Sequence, residues 1–233
     1  MSLISFVHDN DLEGLKNHYS NNPNNPNYAD SSLIFFAVGN NNLEMLKWLR
    51  SLNPPCSWCS HCFYNAILYN REEIIKFIIE SYDSDKNDPS YQQMLSGGCM
   101  VTSINNKNID TLIWLLSKID DSKIDKNLII YKAIHSDNLE ILDFIINNPN
   151  FSHFMEKSCS SYFYEAVNNN SFKTLEWLQK HSFYCDKMSC LVACKNNNFK
   201  ILKYLRNNLC PWDKDECLKT CTNKEIKEWI KGN

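Results

Sequence analysis

Glycine is scarce in this chain: five among 233 residues, at Gly14, Gly39, Gly97, Gly98 and Gly232. No Gly-x4-Gly-Lys string occurs among them, so no loop is offered whose backbone amides could cradle a phosphate chain. Long apolar runs are also missing. None approaches the roughly 20 residues that a membrane-spanning helix requires. The opening Ser2-Leu3-Ile4-Ser5-Phe6-Val7 has no basic segment, and its apolar part is too short for a secretory signal. An excess of positive charge is absent too. The 24 Lys and Arg are interleaved with 27 Asp and Glu, for a net charge of −3, whereas nucleic-acid binders usually carry a basic stripe. Neither His-Glu-x-x-His nor a paired-carboxylate signature occurs. These gaps predict no membrane, no nucleic acid, no cofactor and no enzymatic reaction.

Asparagine and cysteine, by contrast, are abundant. The 11 cysteines, an odd number without an export signal, are read as reduced thiols of a cytoplasmic protein. The 32 asparagines include runs at 40–42, 168–170 and 196–198. Those runs mark a repeat. In Ala37 to Leu49, Ala166 to Leu178 and Ala193 to Leu205, a small residue stands six before a large apolar anchor. An apolar residue follows the anchor by three, an aromatic by five and Leu by six. Ala66 and Ala133 open two further copies, the first with Glu72 in place of the apolar anchor. Weaker copies run through Phe6 and Leu12, Ser103 and Ile109, and Thr220 and Ile226. The anchors at 12, 43, 72, 109, 139, 172, 199 and 226 are spaced by 31, 29, 37, 30, 33, 27 and 27 residues. Eight copies at such a period indicate a solenoid rather than a globule.

Each copy reads as two helices. Leu43, Leu46 and Leu49 recur at three-residue steps, the signature of one helical face, and Met45 and Trp48 widen it. A shorter apolar stretch such as Leu33 to Val38 precedes it, about two turns long. Between them the chain must leave the first helix, which commonly happens through a residue in the left-handed region, where Gly is best and Asn next. Asn41, Asn70, Asn170 and Asn197 occupy that place, as do Asp137 and, less suitably, Lys107. The predicted architecture is therefore all-α, one domain over 1–233. Its approximate repeats are 1–26, 27–55, 56–92, 93–122, 123–155, 156–182, 183–209 and 210–233.

This pattern resembles ankyrin repeats. Leu43-Glu44 and Leu139-Glu140 match the Leu-Glu pair of the family's second helix. The family's Thr-Pro-Leu-His helix start is absent, and Ser32-Leu33-Ile34-Phe35 stands in its place. A tetratricopeptide array would show a steadier period and nearly equal helices. Leu46-Lys47-Trp48-Leu49-Arg50 and Cys210-Pro211-Trp212-Asp213 resemble the divergent repeats abundant in large DNA viruses of amoebae, and the asparagine content suits an AT-rich genome. The resemblance implies an α-solenoid with short or degenerate fingers, acting as a monomer. It would bind a protein through its concave groove and fingers, in the host cytoplasm if the chain is viral.

On that resemblance the finger aromatics Tyr28, Trp58, Tyr184 and Trp212 are candidate partner contacts, since aromatic anchors dominate interface energetics. Packing of these rings within the array competes with that role. In the family, residues just after the first helix face the groove. Here these are Gly39 and Asn40, Leu68 and Tyr69, His135 and Ser136, and Lys195 and Asn196. Tyr69 and His135 are the best single candidates among them, and Lys195 is a further one. Two copies are long. The insertion at 81–96 is expected to be a polar, solvated loop, and that at 151–160 to tuck Phe151, Phe154 and Met155 onto the stack. The alternative function is a small zinc module. Cys56 and Cys59 have C-x2-C spacing, and His61 and Cys62 could complete a tetrahedral set. A hydrolase or transferase would need a pocket of titratable groups that the pattern does not contain.

Overall fold

A computed structural model describes residues 2–95 and 97–233. It is all-helical, and no strand occurs among the described residues. Among the described residues, no helix is long and apolar enough to cross a membrane. The helices gather in two compact units, one running to Ile124 and the other from Asp125 to Asn233.

In the first unit, α1 (Leu3–His8) pairs with α2 (Leu12–Asn21), and α3 (Ser31–Gly39) with α4 (Leu43–Arg50). Next, α5 (Cys62–Leu68) pairs with α6 (Glu72–Glu80). Two short helices, α7 (Tyr82–Asp85) and α8 (Pro89–Met94), precede the pair α9 (Gly97–Asn105) and α10 (Ile109–Lys118). The second unit pairs α11 (Lys126–His135) with α12 (Leu139–Asn147). A short α13 (Pro149–Ser152) follows. Then α14 (Ser161–Asn168) pairs with α15 (Phe172–Lys180), α16 (Lys187–Lys195) with α17 (Phe199–Asn207), and α18 (Lys214–Thr220) with α19 (Lys224–Gly232). First helices also pack on one another: α1 on α3, α3 on α5 and α5 on α9 in one unit, and α11 on α14, α14 on α16 and α16 on α18 in the other.

The local chemistry explains the regularity. All six residues expected in the left-handed region adopt it, with φ of 56° at Asn41, 51° at Asn70, 58° at Lys107, 50° at Asp137, 57° at Asn170 and 51° at Asn197. Asn10, at 62°, does the same in the first copy. Each second helix then starts at its anchor, or two residues before it in the last copy. A side-chain oxygen commonly receives the helix's free amides. Asn42 Oδ1 accepts from Met45 N at 2.8 Å, and Asn108, Asn138, Asn198 and Asn223 act alike. Such N-caps satisfy donors that the helix itself cannot.

These turns also tie neighbouring pairs together. Asn42 Nδ2 donates to Asn10 Oδ1 at 2.6 Å, and Asn198 Nδ2 to Asn170 Oδ1 at 2.6 Å. Thr174 N and Oγ1 donate to Asp137 Oδ1 at 2.8 and 2.9 Å. The asparagine runs are thus a hydrogen-bonded seam within each unit. Beneath it lie fully buried apolar residues from both helices of each pair, such as Leu33, Ala37, Leu46 and Leu49, or Ile130, Ala133, Leu142 and Ile145.

The insertion at 81–96 departs from the expected solvated loop; its last residue, Ser96, lies outside the described residues. Asp88 caps α8 by accepting from Ser90 N, Pro89 occupies the first turn, and Tyr91 and Met94 are wholly buried. The Tyr91 hydroxyl donates to Ile78 O at 2.6 Å. In the segment 151–160, Phe151 and Met155 are buried, whereas Phe154 remains exposed.

Candidate functional site

Helical geometry decides which side chains of the first helices face outward. With Leu33, Ile34, Ala37 and Val38 buried in α3, the opposite stripe falls at Phe35 and Gly39, four apart. The same register, eight residues before the anchor of each copy, holds Ile4, Tyr64 and Val101 in the first unit. It holds Tyr131, Tyr164, Leu191 and Leu218 in the second. Ile4 and Phe35 are exposed, and the others are half-buried. The Phe35 ring lies 5.5 Å from Phe36, which lies 6.3 Å from His8. A partly exposed, largely apolar row therefore runs along the first helices of each unit.

The residues after the first helices extend this row. Tyr69 is 59% exposed, with the Arg71 guanidinium 5.9 Å from its ring centre. Leu68 beside it is exposed as well. In the second unit, the His135 Nε2 and Glu165 Oε2 atoms are 3.0 Å apart. The Tyr131 hydroxyl bonds to Ser161 Oγ, also at 3.0 Å. Lys195 is exposed. Tyr69 on one unit, and His135 and Lys195 on the other, are thus open to solvent, with His135 held by a neighbouring carboxylate.

The finger aromatics divide. Tyr28 and Trp58 are buried, at 4% and 2% exposure, which withdraws both from any partner-facing surface. The Tyr28 hydroxyl bonds to His18 Nδ1 at 2.8 Å, and its ring meets Tyr19 edge-on at 4.9 Å. Burial pushes its pKa up to about 12. Trp58 Nε1 donates to Asp85 Oδ2 at 2.8 Å, and the Arg50 guanidinium lies 4.6 Å from its ring centre. Tyr184, by contrast, is 52% exposed, and Trp212 is partly exposed against Trp229. A recess of about 380 Å³ near His18 and Asp30 holds titratable groups already engaged. His18 bonds to Tyr28, and Asp30 caps α3 by accepting from Ser32 N.

The zinc alternative meets a correction. Cys59 and Cys62 are joined in a disulfide, so neither sulfur is a free thiolate ligand. Cys56 is buried and donates to Asp30 O at 3.2 Å, and burial pushes its thiol up to about 12. His61 bonds instead to its neighbour Ser60. No group of three or more His, Cys, Asp or Glu able to hold a metal ion occurs among the described residues. Reading every cysteine as a thiol is corrected as well, because Cys185 and Cys210 form a second disulfide. Outside the two disulfides, Cys56, Cys190, Cys194, Cys217 and Cys221 are buried and Cys159 is half-buried.

Sequence reasoning missed Asp85, which lay in the supposed loop, and the pairing of Arg50 with Trp58. A signal was present. Arg50 and Arg206 both stand seven residues after their anchors, and Trp58 and Trp212 both stand 14 before the next. Comparison with known proteins gave no matching family model, curated protein or solved structure.

Proposed function

We propose that the chain is a non-enzymatic protein-binding array of ankyrin-like helix pairs, engaging its partner through the exposed edge of the first helices and the residues after them. One observation carries the reading. In each unit the helix pairs share a buried core and a polar seam, while the outward register varies from copy to copy, with Phe35, Tyr64 and Tyr69 in one unit and Tyr131, His135 and Lys195 in the other. Constant turns with variable outward residues are what a scaffold for recognition requires. The likeness of the Trp-Leu-Arg and Cys-Pro-Trp strings to viral repeats extends the proposal to a host protein as partner.

The test is affinity capture with the purified chain, comparing wild type with Tyr69→Ala and His135→Ala, one substitution in each unit. Both positions are exposed, so each variant is expected to keep wild-type thermal stability within about 0.5 kcal/mol. A defined partner should be retained by wild type and depleted by at least one variant. Equal capture of the same proteins by all three would remove this surface from the proposal.

A further inference from the structure

The two units contain the same finger motif, and only one copy is complete. In the first unit Arg50 Nη1 donates to Cys56 O, Cys56 Sγ sits 3.2 Å from Asp30 O, and the guanidinium covers the Trp58 ring at 4.6 Å. In the second, Arg206 Nη1 donates to Cys210 O, Cys210 Sγ sits 3.3 Å from Asp186 O, and the guanidinium covers the Trp212 ring at 4.5 Å. In the first copy a carboxylate completes the arrangement. Asp85 Oδ2 accepts from Arg50 Nη2 at 2.8 Å and from Trp58 Nε1 at 2.8 Å. Arg50 and Asp85 are then only 9% and 16% exposed along their side chains. In the second copy, no carboxylate among the described residues is bonded to Arg206 Nη2 or Trp212 Nε1, and both side chains stay partly exposed. The nearby acids are engaged elsewhere. Asp186 Oδ1 accepts from Met188 N at 3.0 Å, and Asp213 Oδ1 accepts from Glu216 N at 3.0 Å, each capping a helix.

We propose that Arg206 and Trp212 form a docking site for an Asp or Glu carboxylate on an acidic polypeptide segment of a partner, taking the place that Asp85 fills in the other unit. The guanidinium is preorganised by its bond to Cys210 O and by the indole beneath it. An incoming carboxylate thus gains a charge-assisted bond and an indole N–H without reordering the arginine. Trp229, 6.1 Å from Trp212, extends the aromatic surface beside the pair. This inference rests on the protein-binding reading only for the polypeptide nature of the carrier.

The chain's own 81–87 segment is the natural probe, because it carries Asp85. The blocked peptide is titrated into the 15N-labelled full chain while the tryptophan indole N–H signals are followed; Trp212→Phe identifies the relevant one. The Trp212 signal is expected to move with millimolar affinity. It should move much less with the peptide bearing Asp83→Asn and Asp85→Asn, and less with acetate than with the acidic peptide. Arg206→Gln should abolish the shift. Arg206→Lys, which keeps the charge but loses the planar fork, should weaken binding by about five-fold or more. A Trp212 signal unmoved by the acidic peptide, or moved equally by the neutral one, overturns the proposal. So does full binding by Arg206→Gln or Arg206→Lys. None of these results alters the Tyr69 and His135 capture experiment, so the two readings fail separately.

Discussion

At the scale of single residues, backbone sterics and burial set the energies. A residue with a Cβ pays roughly 1–2 kcal/mol in the left-handed region, and Asn reduces that by local hydrogen bonding. Asn170 sits there and also accepts from Asn198. Asn170→Ala is therefore expected to lower unfolding free energy by about 1–2 kcal/mol, read from the urea midpoint. Lys107 has neither compensation at φ 58° and is exposed. Lys107→Gly should relieve that strain but adds roughly 0.5–1 kcal/mol of unfolded-chain entropy, leaving a net gain of about 0.5 kcal/mol. A lower midpoint for Lys107→Gly would contradict the strain argument. Burial acts on the thiols of Cys56 and Cys190, raising both from an ordinary 9.0 to about 12. The unfolded chain gives up these protons at lower pH than the folded chain does. Their contribution to stability is thus intact below about 9 and is lost as pH rises toward about 12. Urea midpoints should fall across that window, less steeply in Cys56→Ala; an equal slope in both proteins would assign the loss to other groups. The left-handed positions were legible in the sequence because the steric rule is local. The two disulfides were not, because Cys185 and Cys210 meet only after the fingers on either side of the α16–α17 pair come together.

At the scale of the element, the anchors predicted the second helices well. Leu12, Leu43, Glu72, Ile109, Leu139, Phe172 and Phe199 each open one. Glu72 could replace an apolar anchor because that position sits at the helix start, where it is exposed and an acid is favourable. The helices α7 and α8 were hidden by Asp83, Asp85 and Asp88, although Asp88-Pro89 is itself a helix-start signal. Their acids serve as caps and as the partner of Arg50, which a count of polar residues does not reveal. The sequence offered both packing and exposure for the finger aromatics, and it did not separate the buried Tyr28 and Trp58 from the exposed Tyr184, since a ring in a finger can face either way until its polar partner is known. Within a pair, the core residues of the second helix hold the first. Leu142 in α12 is fully buried with Ile130, Ala133 and Ile145. Truncation to Ala should cost about 2–5 kcal/mol and speed amide exchange first in α11 and α12. Protection unchanged in those two helices would mean that stability is not local to the pair.

At the scale of the molecule, the proposed array would draw its stability from a sum over pairs and their neighbours, so a covalent tie within one unit should act there and little elsewhere. Cys185 and Cys210 are 25 residues apart, and their bond joins the finger before α16 to the finger before α18. Closing a loop of that length removes about 3.5 kcal/mol of chain entropy from the unfolded state, whereas a bond across three residues such as Cys59–Cys62 removes about 2. The longer loop also encloses the whole α16–α17 pair, so its loss frees more chain. Reduction by a dithiol is therefore expected to raise amide exchange in α16, α17 and α18 more than in α5 and α6, as hydrogen-exchange mass spectrometry can resolve. The Cys185→Ser, Cys210→Ser protein should behave as the reduced chain does in this region and show no further response to the dithiol. Equal exchange in α16–α18 with and without reductant would mean that the bond does not restrain the unfolded second unit.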